Sequence, residues 1–319
     1  LSNVFLTNLK AGINYQFISR THLEGDQDTL NSVLRQTRTV STVPTVATAT
    51  ATYCGTDPLS LISRDNGVAF WYDSPNAVKP IAVGNFASNA IQLPGGTFYV
   101  ALNDFSGTVG PTTKSAFTGG TYSGNFGPSP LIRTEVPLIL ESARLYTSSP
   151  GRLTFTVLDL DDKFISSTSV DVVASRNPNA ANVGAPTGQV ADDPDDQGRV
   201  YPLNLSIPQA GNYKITIEYE NGATIFRSNA GVTGFPFNIP GIISLRGALF
   251  TQNNTVDTLT NAYYYFYDLK VKSLGCPSNR VAVVAQTATR GTPTVSFEGS
   301  PTICEGASIN LNAPANAGV

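Results

Sequence analysis

The residues able to do chemistry in this sequence are few and far apart. Its one histidine, His22, has no nucleophile placed for it to serve, and covalent catalysis needs nucleophile and base within hydrogen-bond reach. Glycoside hydrolysis needs two acids facing one cleft, whereas the acids here fall in turns. The sequence therefore predicts no enzyme. Three cysteines, Cys54, Cys276 and Cys304, are too widely spaced for a zinc site, which wants paired ligands two to four residues apart. The stretch "ADDPDDQG" gathers Asp192, Asp193, Asp195 and Asp196 in one long loop. Hard oxygen ligands in a loop are what calcium uses, so structural calcium is one reading and a solvated loop is the other. "DLDDKF", with Asp159, Asp161 and Asp162, reads more simply as a hairpin turn. Aromatic side chains suggest sugar stacking: Trp71, and Tyr264 with Phe266 in the run Tyr263 to Tyr267. Alternation puts Tyr264 and Phe266 on one sheet face and Tyr263, Tyr265 and Tyr267 on the other. At least one set must be core.

The elements that position these residues read almost entirely at period two. "RLTFTVLDL", "STSVDVVAS", "NYKITIEYE", "TFYVAL", "YYYFYDLKVK" and "NRVAVVAQT" are strand-like, separated by "SPG", "LPGG", "ENGA" and "PQAG". Only "DTLNSVLRQ" could form a turn or two of helix. The predicted class is all-β, built as tandem sandwiches: an immunoglobulin-like segment and a larger, jelly-roll-like sandwich. Tyr15, Tyr99 and Tyr213 each follow a glycine turn at a strand entrance, the setting of a tyrosine corner.

Composition narrows the function classes. Hydrophobic residues make up 41% of the 319 and charged residues 13%, about half the roughly 25% usual in soluble domains. Polarity comes from Thr, Ser, Asn and Gly, as in extracellular β-proteins. A net charge of −3 without a basic block leaves no electrostatic footprint for nucleic acid. No apolar run reaches the 18 residues of a membrane span, so neither a nucleic acid nor insertion into a membrane is expected. The chain begins at Leu1 and has no methionine, which predicts a piece of a larger processed polypeptide.

The two ends of the sequence repeat each other. Pro44-Thr45-Val46 matches Pro293-Thr294-Val295, an offset of 293 − 44 = 249, and Cys54 matches Cys304, an offset of 304 − 54 = 250. The register holds across the match. The expected organisation is residues 1–42 as the tail of a preceding sandwich, 43–106 as the immunoglobulin-like segment and 107–273 as the jelly-roll-like sandwich. Residues 274–292 supply the closing strand of the immunoglobulin-like domain, and 293–319 start the next repeat. This reading predicts a Cys54–Cys276 disulfide, with Cys304 awaiting a partner in a neighbouring repeat; three free thiols are the alternative.

"CGTDPLSL", "AFWYDSP", "KPIAVGN", "GGTFYVALND", "RSNAGVTGFPFNIPGIISLRG" and "YYYFYDLKVKSLGCPSNRVAV" occur in that order over nearly the whole chain after residue 43. In order and spacing they resemble the tandem immunoglobulin-like and jelly-roll repeats of very large Bacteroidota cell-surface proteins, including gliding-motility adhesins. The resemblance implies an extracellular, type 9 secreted repeat protein that forms fibres for attachment or gliding. It supplies no catalytic residues. It also implies O-glycosylation within Asp-[Ser/Thr]-aliphatic, found at Asp28-Thr29-Leu30 and Asp257-Thr258-Leu259, so Thr29 and Thr258 are the expected glycan sites. The implied partners are neighbouring repeats, surface glycans and other surface proteins. The competing expectation is a carbohydrate-binding accessory region of a secreted polysaccharide-degrading enzyme.

Overall fold

The alternation in "GRLTFTVLD" becomes a nine-residue strand, Gly151–Asp159, burying Leu153, Phe155 and Val157 and turning Thr154 and Thr156 outward. The same logic runs through the computed structural model, which describes residues 6, 8–11, 13–20, 33–89, 96–252, 255–288, 296–297 and 302–312. The protein is all β, and the one helical turn among the described residues is the 3-10 turn Lys114–Ala116.

A hairpin comes first, β1 (Asn14–Arg20) with β2 (Val33–Thr39). Part of "DTLNSVLRQ" is thus strand, not the expected helical turn, because Val33, Thr37 and Thr39 are β-branched and pair across β1. Six short strands follow: β3 (Thr50–Tyr53), β4 (Leu59–Ile62), β5 (Ala69–Tyr72), β6 (Ala82–Val83), β7 (Phe86–Asn89) and β8 (Thr97–Leu102). The next group opens with β9 (Ser106–Val109), β10 (Gly119–Ser123), β11 (Ser129–Thr134), β12 (Leu138–Leu145), β13 (Gly151–Asp159) and β14 (Phe164–Val172). It continues through β15 (Val190–Ala191), β16 (Arg199–Ile207), β17 (Gly211–Glu220), β18 (Ile225–Ala230) and β19 (Phe237–Ile239). It ends with β20 (Ile243–Gln252), β21 (Thr255–Leu259), β22 (Tyr263–Tyr264) and β23 (Tyr267–Ser273). Four short strands close the chain: β24 (Val281–Val284), β25 (Gln286–Thr287), β26 (Ser296–Phe297) and β27 (Leu311–Asn312).

Two sandwiches result. The small one packs sheet β24-β8-β5-β6 on sheet β25-β3-β4-β7, around Leu59, Leu61, Trp71, Phe98 and Val100. Its strand β24 comes from beyond the other sandwich, pairing Val281 with Val100, and β25 runs parallel to β3. The large one sets β14-β13-β17-β11-β20-β19, with β21 on β20, against β16-β12-β23-β9 and β15-β10-β18-β22. At its corner the Tyr213 hydroxyl donates to the Gln209 carbonyl at 2.9 Å, and at the hairpin Tyr15 accepts from the Lys10 amide at 2.9 Å. Tyr99 is instead turned onto the large core.

The sandwiches share a strand's two faces. All four residues of β5 are buried: Ala69 and Trp71 in the small core, Phe70 and Tyr72 in the large one. Phe70 stacks on Phe105 at 5.5 Å. Arg280, just before β24, lies 3.5 Å above the Tyr72 ring, donates to Asp104 at 2.8 Å and reaches the carbonyls of Pro75 and Ala77. One planar cation thereby ties the returning segment to both ends of the β5 junction. Arg280→Ala should cost about 2 kcal/mol, the scale of lost hydrogen bonds to a charged group, read as a lowered denaturant midpoint. Arg280→Lys should recover only part of it, since an ammonium has neither the fork nor the flat face.

Candidate functional site

The aromatic run does not alternate. Tyr265 adopts φ +76°, and the Phe266 amide donates to the Tyr264 carbonyl at 3.1 Å, closing a three-residue turn of the rare type with positive φ. The turn separates β22 from β23 and folds all five rings inward. The Tyr263 hydroxyl donates to the Phe266 carbonyl at 2.7 Å. Burial pushes the Tyr263 and Tyr265 phenols well above their ordinary range, so these hydroxyls act as neutral hydrogen-bonding groups. The expected stacking platform is therefore corrected: Trp71 is 0% exposed in the small core and donates from Nε1 to the Gly84 carbonyl. Phe266 is buried against Phe155. Neither ring can meet a sugar.

Tyr264 has a different place, in the wall of a surface groove of ≈ 590 Å³. Six segments build it: Asn125 and Phe126 after β10, Gln189 before β15, Arg227 on β18, Phe250 on β20, Asp257 on β21 and Tyr264 on β22. The Arg227 guanidinium lies 4.4 Å above the Phe126 ring and donates to the Tyr264 hydroxyl at 3.0 Å, while its Nε has no hydrogen-bond partner. Phe126 meets Tyr264 edge-on at 6.2 Å. The groove offers a cation, a carboxylate and two carboxamides over aromatic walls, the mixture by which a concave site orients a small polar ligand. Arg227, Phe126 and Gln189 carry no signal in sequence, because they lie in separate segments that only the sheet order brings together.

The acidic loop is equally changed by its neighbours. Lys114, buried, is ion-paired with Asp192 and donates to the Asp193 carbonyl. The Asp193 carboxylate accepts from the amides of Asn177 and Asp195 at 2.9 and 3.2 Å. Asp196 accepts from the Tyr122 hydroxyl at 2.7 Å, from Ser175 at 3.0 Å and from the Gly198 amide at 2.8 Å. Asp195 alone is exposed. The carboxylates of Asp192, Asp193 and Asp196 thus already have protein partners, and the cation beside Asp192 is a lysine from 78 residues upstream. No group of three metal-ligating side chains forms among the described residues.

The three thiols are unbonded. Cys54 follows β3, where the Ala288 amide donates to the Tyr53 carbonyl. Cys276 sits at the other end of the small sandwich, its carbonyl accepting from Asn103 and its loop beside residues 41–45. The four-residue strand β3 lies between those ends, about 13 Å at roughly 3.3 Å per residue, against the 7 Å between Cα atoms that a disulfide tolerates. The expected Cys54–Cys276 bridge does not form, and Cys304 is exposed. Thr258 is exposed on β21, open to a modifying enzyme. Thr29 and His22 lie outside the described residues.

No helix among the described residues is long and apolar enough to cross a membrane. No protein-family model matches the chain, and no curated protein matches it.

Proposed function

We propose that this chain is a structural and adhesive repeat of a very large bacterial surface protein, acting by reach and attachment without catalysis. The observation that carries the reading is the shared strand β5. It packs Trp71 into one sandwich and Phe70 into the other, so that two modules are joined by an apolar seam, which favours rigid body over hinge. The matching sequence at the two ends, at offsets of 249 and 250 residues, supports serial repetition. The resemblance to tandem repeats of Bacteroidota surface proteins supports an extracellular place, export through a type 9 system and a role in fibres for attachment or gliding. Neighbouring repeats are the first partners, and Thr258 is the accessible position for O-glycosylation.

The test is the parent polypeptide. Peptide mapping of the native protein should find several copies of the repeat unit in a chain of several hundred kilodaltons. A small parent carrying a separate catalytic region would reject the reading.

One observation favours a second reading, a carbohydrate-binding accessory region of a secreted polysaccharide-degrading enzyme. A carbohydrate would be held in the groove around Arg227, Asp257 and Tyr264. On that reading, saturable binding in a glycan array should fall at least tenfold in both Arg227→Gln and Asp257→Ala. Binding indifferent to both changes would dismiss the groove.

A further inference from the structure

Lys114 is in an unusual position for a lysine. Its side chain is 4% exposed, and its Nζ lies 4.9 Å from the Phe226 ring centre, 5.5 Å from Tyr146 and 5.7 Å from Tyr122. Within this aromatic box the three ammonium protons have three separate acceptors: Asp192 Oδ1, the Asp193 carbonyl and, at 3.3 Å, the Tyr122 hydroxyl. Tyr122 in turn donates to Asp196 Oδ2 at 2.7 Å. Burial, then the Asp196 carboxylate, push the Tyr122 phenol far above its ordinary range. It therefore carries a proton without giving up its own permanently.

We propose that Lys114 and Asp192 condense to an intramolecular amide. One ammonium proton passes to the Asp192 carboxylate, leaving a neutral amine beside a carboxylic acid. The Nζ lone pair attacks Cγ of Asp192, forming the N–C bond. A second nitrogen proton leaves through Tyr122, with Asp196 as the positioning carboxylate behind it, and returns to the departing hydroxyl. The Cγ–O bond breaks and one water is released. The remaining N–H keeps its acceptor, the Asp193 carbonyl. Atoms balance without any co-reactant: an ammonium and a carboxylate become one amide and one water.

Two physical effects favour the step. Holding amine and acid in contact gives effective molarities of about 10⁵ M or more in well-oriented intramolecular reactions. Condensation also replaces two charges by a neutral amide in a place where an ion pair is costly to desolvate. Asp192 is 26% exposed, which gives the water a way out. The product would staple the 3-10 turn after β9 to the loop after β15, 78 residues apart.

Intact mass of the denatured chain decides it. The expected mass is one water below that of the sequence, and Lys114→Arg should restore the full sequence mass. After trypsin, uncut Lys114 should leave residues 65–133 joined to residues 177–199. Tyr122→Phe, which keeps the box, should slow or abolish the loss of water while leaving the circular dichroism of the fold unchanged. A wild-type chain at full mass, cleavage after Lys114, or water lost without joined peptides, as in a succinimide, would each overturn the proposal.

Discussion

Replacing Trp71 by alanine should remove about 3–5 kcal/mol, the range for deleting a large buried aromatic, and the loss should fall on the small sandwich. Trp71 is fully buried among Leu59, Leu61, Phe98 and Val100. These come from strands only four to six residues long, so little else is available to close around the void. Its neighbour Phe70 makes the informative contrast. Phe70→Ala removes a ring of comparable burial, but from the seam, where it stacks on Phe105. Scanning calorimetry should therefore separate the two: Trp71→Ala lowers the stability of the small sandwich while the large sandwich keeps its own transition. Phe70→Ala uncouples them and broadens or splits the melt. A single sharp transition in Phe70→Ala, at the wild-type temperature, would mean that the seam carries little of the coupling.

Tyr267→Ala should cost the large sandwich as much, about 3–5 kcal/mol. Its ring meets Tyr146 edge-on at 5.2 Å and lies 5.0 Å from Tyr263 and 6.4 Å from Phe226, so the deletion opens the centre of the aromatic cluster. Its hydroxyl pairs with Ser228 at 2.8 Å in a fully buried contact. Tyr267→Phe keeps the ring and leaves that serine without its partner, a change worth about 1–2 kcal/mol. Urea titrations of the two variants should give this order of midpoints. Equal losses would mean that the hydrogen bond, and not the ring packing, dominates at this position.

The class of the protein was legible because alternation is a local property. In β13 the apolar residues that recur every second position, Leu153, Phe155 and Val157, are the buried ones. In β17 Tyr213 and Ile215 are buried while Ile217 and Tyr219 are half-buried against the core, and Tyr213 sits two residues into its strand with a bonded hydroxyl as the corner grammar requires. The failures share one cause, which is that the deciding partner is remote or the local backbone unusual. Nothing in "YYYFY" announces a left-handed tyrosine, yet φ +76° at Tyr265 turns a two-faced strand into a core plug. Nothing in "ADDPDDQG" announces Lys114, whose charge arrives across the sandwich to pair with Asp192. The cysteines invited a bridge by analogy with immunoglobulin-like folds, but parallel strands β3 and β25 carry their flanking segments to opposite ends. The groove is assembled from six segments, none of which has a ligand-binding pattern of its own.

The parallel pairing of β3 with β25 also has a mechanical meaning. Neighbouring strands that run in the same direction are pulled from opposite ends when tension is applied to the two sides of the chain. Their bonds then resist together in shear instead of opening one by one. The direct route for that tension crosses the small sandwich alone, because the large sandwich is spliced in between β8 and β24 and hangs outside the line of force. A chain built this way can be stretched without distorting the groove at Arg227 and Tyr264.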